Sequence, residues 1–243
     1  MPVLHERGYL IPAIGSVYER CAHQLADSIR RWHPDAHITV ITESQLPRGL
    51  QKGFANDWQM YLASPYRETI KLEADCLASG PIDHWWDLFR HRDVVISQGC
   101  RDYYGNISTN RFYRKLFDTN ELPDVYNAIT YWRVSKTAQE FWNLVRAMFE
   151  NWDQYRTLLK YADEEATTDV VYAMAAKIMG TEQVTLPESI WQPRIVHMKK
   201  HIISTVTENW TQELTWEYID SVLRINTVAQ DGLVHYNIKN WKP

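Results

Sequence analysis

Between Gly8 and Thr42 the chain spells out a strand, a helix and a second strand, which constrains its fold more than any other stretch. Gly8-Tyr-Leu-Ile-Pro-Ala-Ile14 is a short apolar run closed by Gly15, the pattern of a strand buried on both faces. Val17, Cys21, Leu25, Ile29 and Trp32 then recur at helical spacing until Pro34 stops the helix. His37-Ile-Thr-Val-Ile-Thr42 follows, rich in β-branched residues. Two strands joined through a helix make a βαβ unit, and such a crossover yields a parallel pair.

The alternation continues less regularly. Thr69–Leu72, Asp93–Ser97 and Asn127–Arg133 read as strands, with a helix from Ile82 to Phe89. Ala138, Phe141, Trp142, Val145, Met148 and Phe149 mark an amphipathic helix, and a second runs from about Thr168 to Ile178. Leu223 to Asn240 reads as two strands about the turn Gln230-Asp231-Gly232. No repeat, low-complexity tract or linker interrupts the chain. The expectation is an α/β fold in one domain over residues 1–243: a Rossmann-type, mixed but mainly parallel sheet flanked by helices, with a small antiparallel C-terminal addition.

Composition narrows the functional classes. Apolar residues make up 45% and charged residues 23%, which argues for a globular chain rather than a disordered one. A net charge of -4 means that a nucleic-acid partner needs a local basic patch. Cys21, Cys76 and Cys100 are odd in number and widely spaced, as reduced thiols in a cytoplasmic protein would be. The apolar stretch Gly8–Tyr18 is too short to span a bilayer and contains Pro12 and Gly15, so no membrane partner is expected. With 9 Gly and neither Gly-X-Gly-X-X-Gly nor a P-loop, the phosphate cradles of many nucleotidyltransferases are missing. The 11 Trp and 14 Tyr should mostly pack the core, with some left for stacking on a ligand.

The most informative stretch chemically is Lys71-Leu-Glu-Ala-Asp75. A β-run ends there in two acids, and ligands of open α/β sheets bind at the carboxyl ends of strands. Glu73 and Asp75 together offer the oxygen ligands that Mg²⁺ or Mn²⁺ takes; the alternative is a solvated strand-end turn. His197 ends another apolar run and precedes Lys199 and Lys200, in a segment from Ile190 to Ile203 without a single acid. An imidazole beside two ammonium groups suits a metal plus a diphosphate, although a buried structural histidine reads the same way. Asn127 follows an aromatic residue at a strand start, where it is either a turn former or a site residue. Asp169 caps the next helix or faces a ligand.

In order and spacing, the βαβ unit, Lys71-Leu-Glu-Ala-Asp75, Val125-Tyr-Asn-Ala-Ile129, Thr167-Thr-Asp169 and Ile195-Val-His-Met-Lys199 resemble GT-A glycosyltransferases, especially family 8-like enzymes and small phage-encoded relatives. The resemblance implies a hexosyltransferase using Mn²⁺ or Mg²⁺ and a UDP-sugar, with retention and an α-linked product. It implies a metal site of Glu73, Asp75 and His197, and a diphosphate contact from Lys199 or Lys200. Ile11, Ala13 and Tyr18 would border the uracil, and Lys71 would reach phosphate or the acidic motif. Asn127 and Asp169 would face the donor as the catalytic pair. Two departures stand out: Glu73 where the family has Asp, and no His-X-X-Gly-X-X-Lys around His197.

For the acceptor, residues 101–115 set Arg101, Arg111, Arg114 and Lys115 against Asp102, interleaved with Tyr103, Tyr104, Phe112 and Tyr113. Cations beside aromatics suit phosphate contacts with a base stacked out of its helix; a Tyr-rich surface loop or a platform for sugar rings shows the same pattern. Resemblance to phage enzymes that glycosylate hydroxymethylated pyrimidines points to DNA 5-hydroxymethylcytosine, in the host cytoplasm if the chain is phage-encoded.

Overall fold

The computed structural model describes residues 3–46, 57–108, 110, 113–187 and 193–243. Its strands are β1 (His5–Ala13), β2 (Ile38–Thr42), β3 (Tyr66–Leu72), β4 (Cys76–Ala78), β5 (Val94–Gln98), β6 (Cys100–Arg101), β7 (Ile107–Ser108), β8 (Val125–Arg133), β9 (Ile195–His197), β10 (Trp216–Ile219), β11 (Val222–Ile225), β12 (Val228–Ala229) and β13 (Leu233–His235). The N-terminal unit forms as its patterning dictates. β1 leads into Gly15 at φ 94° and ψ 150°, a conformation closed to side chains with a Cβ, and the helix Ser16–Trp32 begins at once. It buries Cys21, Ala22, Leu25, Ala26 and Ile29 on one face and stops just before Pro34.

β1 lies between β2 and β3, parallel to both. The sheet order is β2-β1-β3-β8-β5, with β8 antiparallel to both neighbours, so four of its five strands share a direction. Alternation along the strands divides two cores. Tyr9, Ile11 and Ala13 face the helix Ser16–Trp32 and a second sheet, whereas Leu10 faces the helices Lys136–Glu150 and Thr168–Met179 with Trp132 and Trp142. Trp132 is fully buried edge-on to Trp142 at 5.0 Å, and burial of such a ring contributes about 2–3 kcal/mol. The mixed, mainly parallel α/β sheet flanked by helices is therefore present as expected. All three cysteines are buried, and no disulfide joins them. Among the described residues no helix is long and apolar enough to cross a membrane.

The C-terminal part departs from expectation in one respect. β10, β11 and β12 form the antiparallel addition, turning at Asp220-Ser221 and Asn226-Thr227, four residues with positive φ. Gln230-Asp231-Gly232 does turn, but it does not join a hairpin. β13 leaves the meander and enters a different sheet of order β4-β13-β9-β6-β7, antiparallel to β4 and parallel to β9. Gly232 permits that exit: its φ is 80°, and a Cβ there would lie 2.6 Å from the Arg194 carbonyl oxygen. Gly232→Ala should cost about 2 kcal/mol and lower Tm by roughly 4–8 °C in calorimetry. An unchanged Tm would show that the turn is not so confined.

Candidate active site

The carboxyl ends of β1 and β3 and the start of β8 meet at one edge of the central sheet. β5 pairs Ile96 with Thr130 but Ser97 with Tyr126, so residues 127–129 are pushed out of that ladder. This frees the Asn127 N–H to donate to Asp169 Oδ1 at 3.0 Å, at the first turn of the helix Thr168–Met179. Glu73 follows β3 with its N–H on the Ala128 carbonyl at 3.3 Å. Asp75 immediately precedes β4, and the β4–β13 register sets Cys76 opposite His235.

Through that pairing His235 meets both acids. Its Nε2 is 2.8 Å from Asp75 Oδ2 and its Nδ1 3.1 Å from Glu73 Oε2. One ligand atom from each of Glu73, Asp75 and His235 lies within 4.8 Å of the other two, a set that can hold a metal ion. Burial pushes the Glu73 carboxyl up, with Asp75 and Asp169 adding to it and His235 opposing. Burial would raise Asp75 as well, but His235 and the Lys239 ammonium on Oδ2 hold it well below the usual carboxylate range. Lys239 is raised by Asp75 despite its own burial.

The donor set fits a divalent ion. Glu73 Oε2 is buried and accepts no hydrogen bond, and Lys239 supplies a positive charge where a cation would neutralise the pair. Two carboxylates with an imidazole suit Mn²⁺ or Mg²⁺, and the imidazole favours Mn²⁺. Behind the cluster, the Tyr126 hydroxyl is 2.9 Å from His235 Nδ1 and meets the ring nitrogens of His197, Nδ1 the nearer.

The cluster lies in the wall of a cleft of about 600 Å³ that also takes in Pro12, Ile14, Tyr18, Asn127, Asp169 and Lys239. A smaller cleft of about 210 Å³ is lined by Cys100, Tyr126, His197, His201 and Ile202. Tyr113, Asp169 and Lys199 line both, so the two adjoin.

Several of the sequence candidates lie apart from the cluster. The histidine brought to Glu73 and Asp75 is His235; His197 stands one strand away, in register with it across β9 and β13, and is 1% exposed. Lys199 lines both clefts, but Lys200 is exposed, paired with Glu208 at 2.8 Å, and lines neither. Ile11 and Ala13 point into the core; their neighbours Pro12 and Ile14 border the cleft with Tyr18. Lys71, by contrast, lines the larger cleft, although it is 1% exposed, and donates to Asp57 Oδ2 at 2.6 Å and Asn127 Oδ1 at 2.7 Å.

On the acceptor side, Tyr103 is buried, its hydroxyl accepting from Asn226 Nδ2 at 3.0 Å. Tyr104 is exposed and packs on the Tyr103 ring at 4.2 Å. Arg101 donates to the Gly105 carbonyl at 2.7 Å, and Arg114 is paired with Asp118 on the outer surface. Among the described residues of the set, Tyr113 alone lines the clefts. Arg111 lies outside the described residues. Among the described residues no tryptophan lines either cleft. Sequence reasoning missed His235, Lys239 and Asp57. The signal for the first two was Leu-Val-His235 followed by Lys239 before Trp241, close to the end of the chain.

The mixed, mainly parallel sheet flanked by helices, with its antiparallel addition, matches the GT-A fold of solved glycosyltransferases. The solved structures that share it include mouse xyloside xylosyltransferase 1 in its apo form, 8% identical with a TM-score of 0.50, the match covering 99% of this chain and 100% of that one. They also include the galactosyltransferase LgtC in complex with donor and acceptor sugar analogues, 11% identical with a TM-score of 0.52, over 96% and 87% of the two chains. No protein-family model and no curated protein sequence matches the chain.

Proposed function

We propose that the protein is a divalent-cation-dependent glycosyltransferase that moves a hexose, in the first instance glucose, from a UDP-sugar to a hydroxyl acceptor with retention of configuration. The observation that carries this reading is the Glu73–Asp75–His235 cluster in the wall of the larger cleft, on a GT-A fold. A bound Mn²⁺ or Mg²⁺ would neutralise the diphosphate as UDP departs. The chain's own residues divide the remaining work. Tyr18, Pro12 and Ile14 offer an aromatic and apolar border for the uracil. Lys239 and Lys199 flank the cleft as counter-charges to the diphosphate, acting most strongly as negative charge develops on the leaving group. Asp169, its Oδ1 held by the Asn127 N–H, faces the hexose side. The acceptor oxygen forms its bond to the oxocarbenium-like anomeric carbon on the same face from which UDP departs, so configuration is retained, and the acceptor proton leaves with the released diphosphate or to solvent.

The smaller cleft adjoining Asp169 is the acceptor compartment in this account. Its about 210 Å³ suits one ring, and Tyr113 stands at the seam to stack on it. For the acceptor itself we propose the 5-hydroxymethylcytosine of DNA, one base extruded into that compartment. The same size favours a single sugar ring as the second reading, since Tyr103 and Arg114 of the basic loop are turned to other partners. Transfer of label from UDP-glucose, with Mn²⁺, onto DNA containing cytosine or 5-hydroxymethylcytosine separates the two. The DNA reading expects label in the modified DNA only. UDP release without label in either DNA would discard that acceptor and leave a transferase to another acceptor or a hydrolase of the UDP-sugar.

A further inference from the structure

Lys71 is the one lysine of the central sheet that is fully buried, and its surroundings give it a use other than phosphate contact. Asp57 Oδ2 accepts from Lys71 Nζ at 2.6 Å and from the Tyr172 hydroxyl, so the buried charge is matched. A second ammonium proton goes to Asn127 Oδ1 at 2.7 Å. Lysine has donors only, so the atom that meets it must be the amide oxygen. The orientation of the Asn127 amide is thereby fixed, and its Nδ2 is left to donate to Glu73 Oε1 at 3.3 Å. One oxygen of Glu73 is thus occupied by Asn127 while the other, Oε2, stays buried without a hydrogen bond beside His235 and Asp75.

We propose that Lys71 is a positioning residue for the metal cluster: with Asp57 balancing its charge, it locks the Asn127 amide, and the amide holds Glu73 with Oε2 presented towards His235 and Asp75. This rests on the reading that Glu73, Asp75 and His235 take a divalent cation. The Glu73 carboxylate thereby meets the amide through Oε1 and His235 through Oε2 at once. Without the lysine, the Asn127 amide is free to turn its oxygen towards Glu73, where two acceptors repel.

The test is Mn²⁺ binding, followed by the electron paramagnetic resonance signal of free Mn²⁺ without any sugar nucleotide. Lys71→Met and Asn127→Leu should each raise the dissociation constant by about 10- to 100-fold, the usual effect of losing a partner that orients a ligand. The double variant should lose no more than the worse single, because both act through one contact. Lys71→Met/Asp57→Asn removes the charge pair together and guards against a variant that merely fails to fold. It too should bind Mn²⁺ weakly. A role in stability alone predicts a lower Tm with unchanged Mn²⁺ affinity and additive losses, and that result would overturn the proposal.

A metal-free readout keeps the two readings apart. In ¹⁵N-labelled protein, the Asn127 side-chain NH₂ should exchange slowly in the wild type and fast in the Lys71 variants. If the wild type binds no Mn²⁺, the metal reading fails and the exchange still decides Lys71. An Asn127 amide indifferent to Lys71→Met overturns the positioning role; a released one upholds it.

Discussion

Replacing Asp75 with alanine is expected to abolish Mn²⁺ binding and to lower sugar transfer by roughly three orders of magnitude, the several kcal/mol that a metal supplies to a departing oxyanion. Asp75 is the most strongly ionised acid of the cluster: burial works against its charge, and His235 and Lys239 overcome it. No other described carboxylate lies beside both Glu73 and His235, so no neighbour can take its place. The fold should survive. The backbone oxygen of Asp75 keeps its bond from Tyr236 N, and the half-buried Lys239 can turn to solvent once its partner is gone. Asp75→Asn, which preserves shape, should lose Mn²⁺ to a similar degree. Near-normal Mn²⁺-dependent turnover in either variant would remove Asp75 from the metal site.

The second large effect separates two histidines that sequence alone does not distinguish. His235→Ala should weaken Mn²⁺ binding by well over 100-fold, more than the loss of a supporting partner costs. His197→Ala should stay within about 10- to 100-fold, because His197 supports His235 from behind, through the shared Tyr126 hydroxyl and ring against ring at 4.5 Å. Pulsed electron paramagnetic resonance gives the qualitative version. The ¹⁴N coupling of a directly bound imidazole should vanish in His235→Ala and persist in His197→Ala. The opposite pattern would restore His197 as the ligand.

That confusion shows where sequence reading reaches its limit. Ile195-Val-His197 and Leu233-Val-His235 are nearly the same tripeptide, and they lie side by side as parallel strands with the two histidines in register. What chooses between them is a contact distant in sequence: β13, not β9, pairs with β4, directly after Asp75. The basic run Lys199-Lys200 splits in the same way: Lys199 lines both clefts, whereas Lys200 pairs with Glu208 on the surface. By contrast, the βαβ unit and the acidic strand end were legible, because period and turn residues are local properties. Ile11 and Ala13 failed for a simpler reason. Alternation sends every second residue of β1 into the core, so Pro12 and Ile14 border the cleft instead. The exposure of the rings in the Tyr-rich loop was not legible, because it depends on what the chain later brings to them, here Asn226 at the Tyr103 hydroxyl and Gln230 at its backbone carbonyl.

Release of UDP from UDP-glucose by the wild-type chain, followed with Mn²⁺ and again with EDTA, tests the central claim most directly. The account predicts UDP as the nucleotide product, formed with Mn²⁺, stopped by EDTA and restored by added metal, whether a hydroxyl acceptor or water receives the sugar. Pyrophosphate in place of UDP, or no UDP at all from a folded protein that still binds the nucleotide, would contradict it.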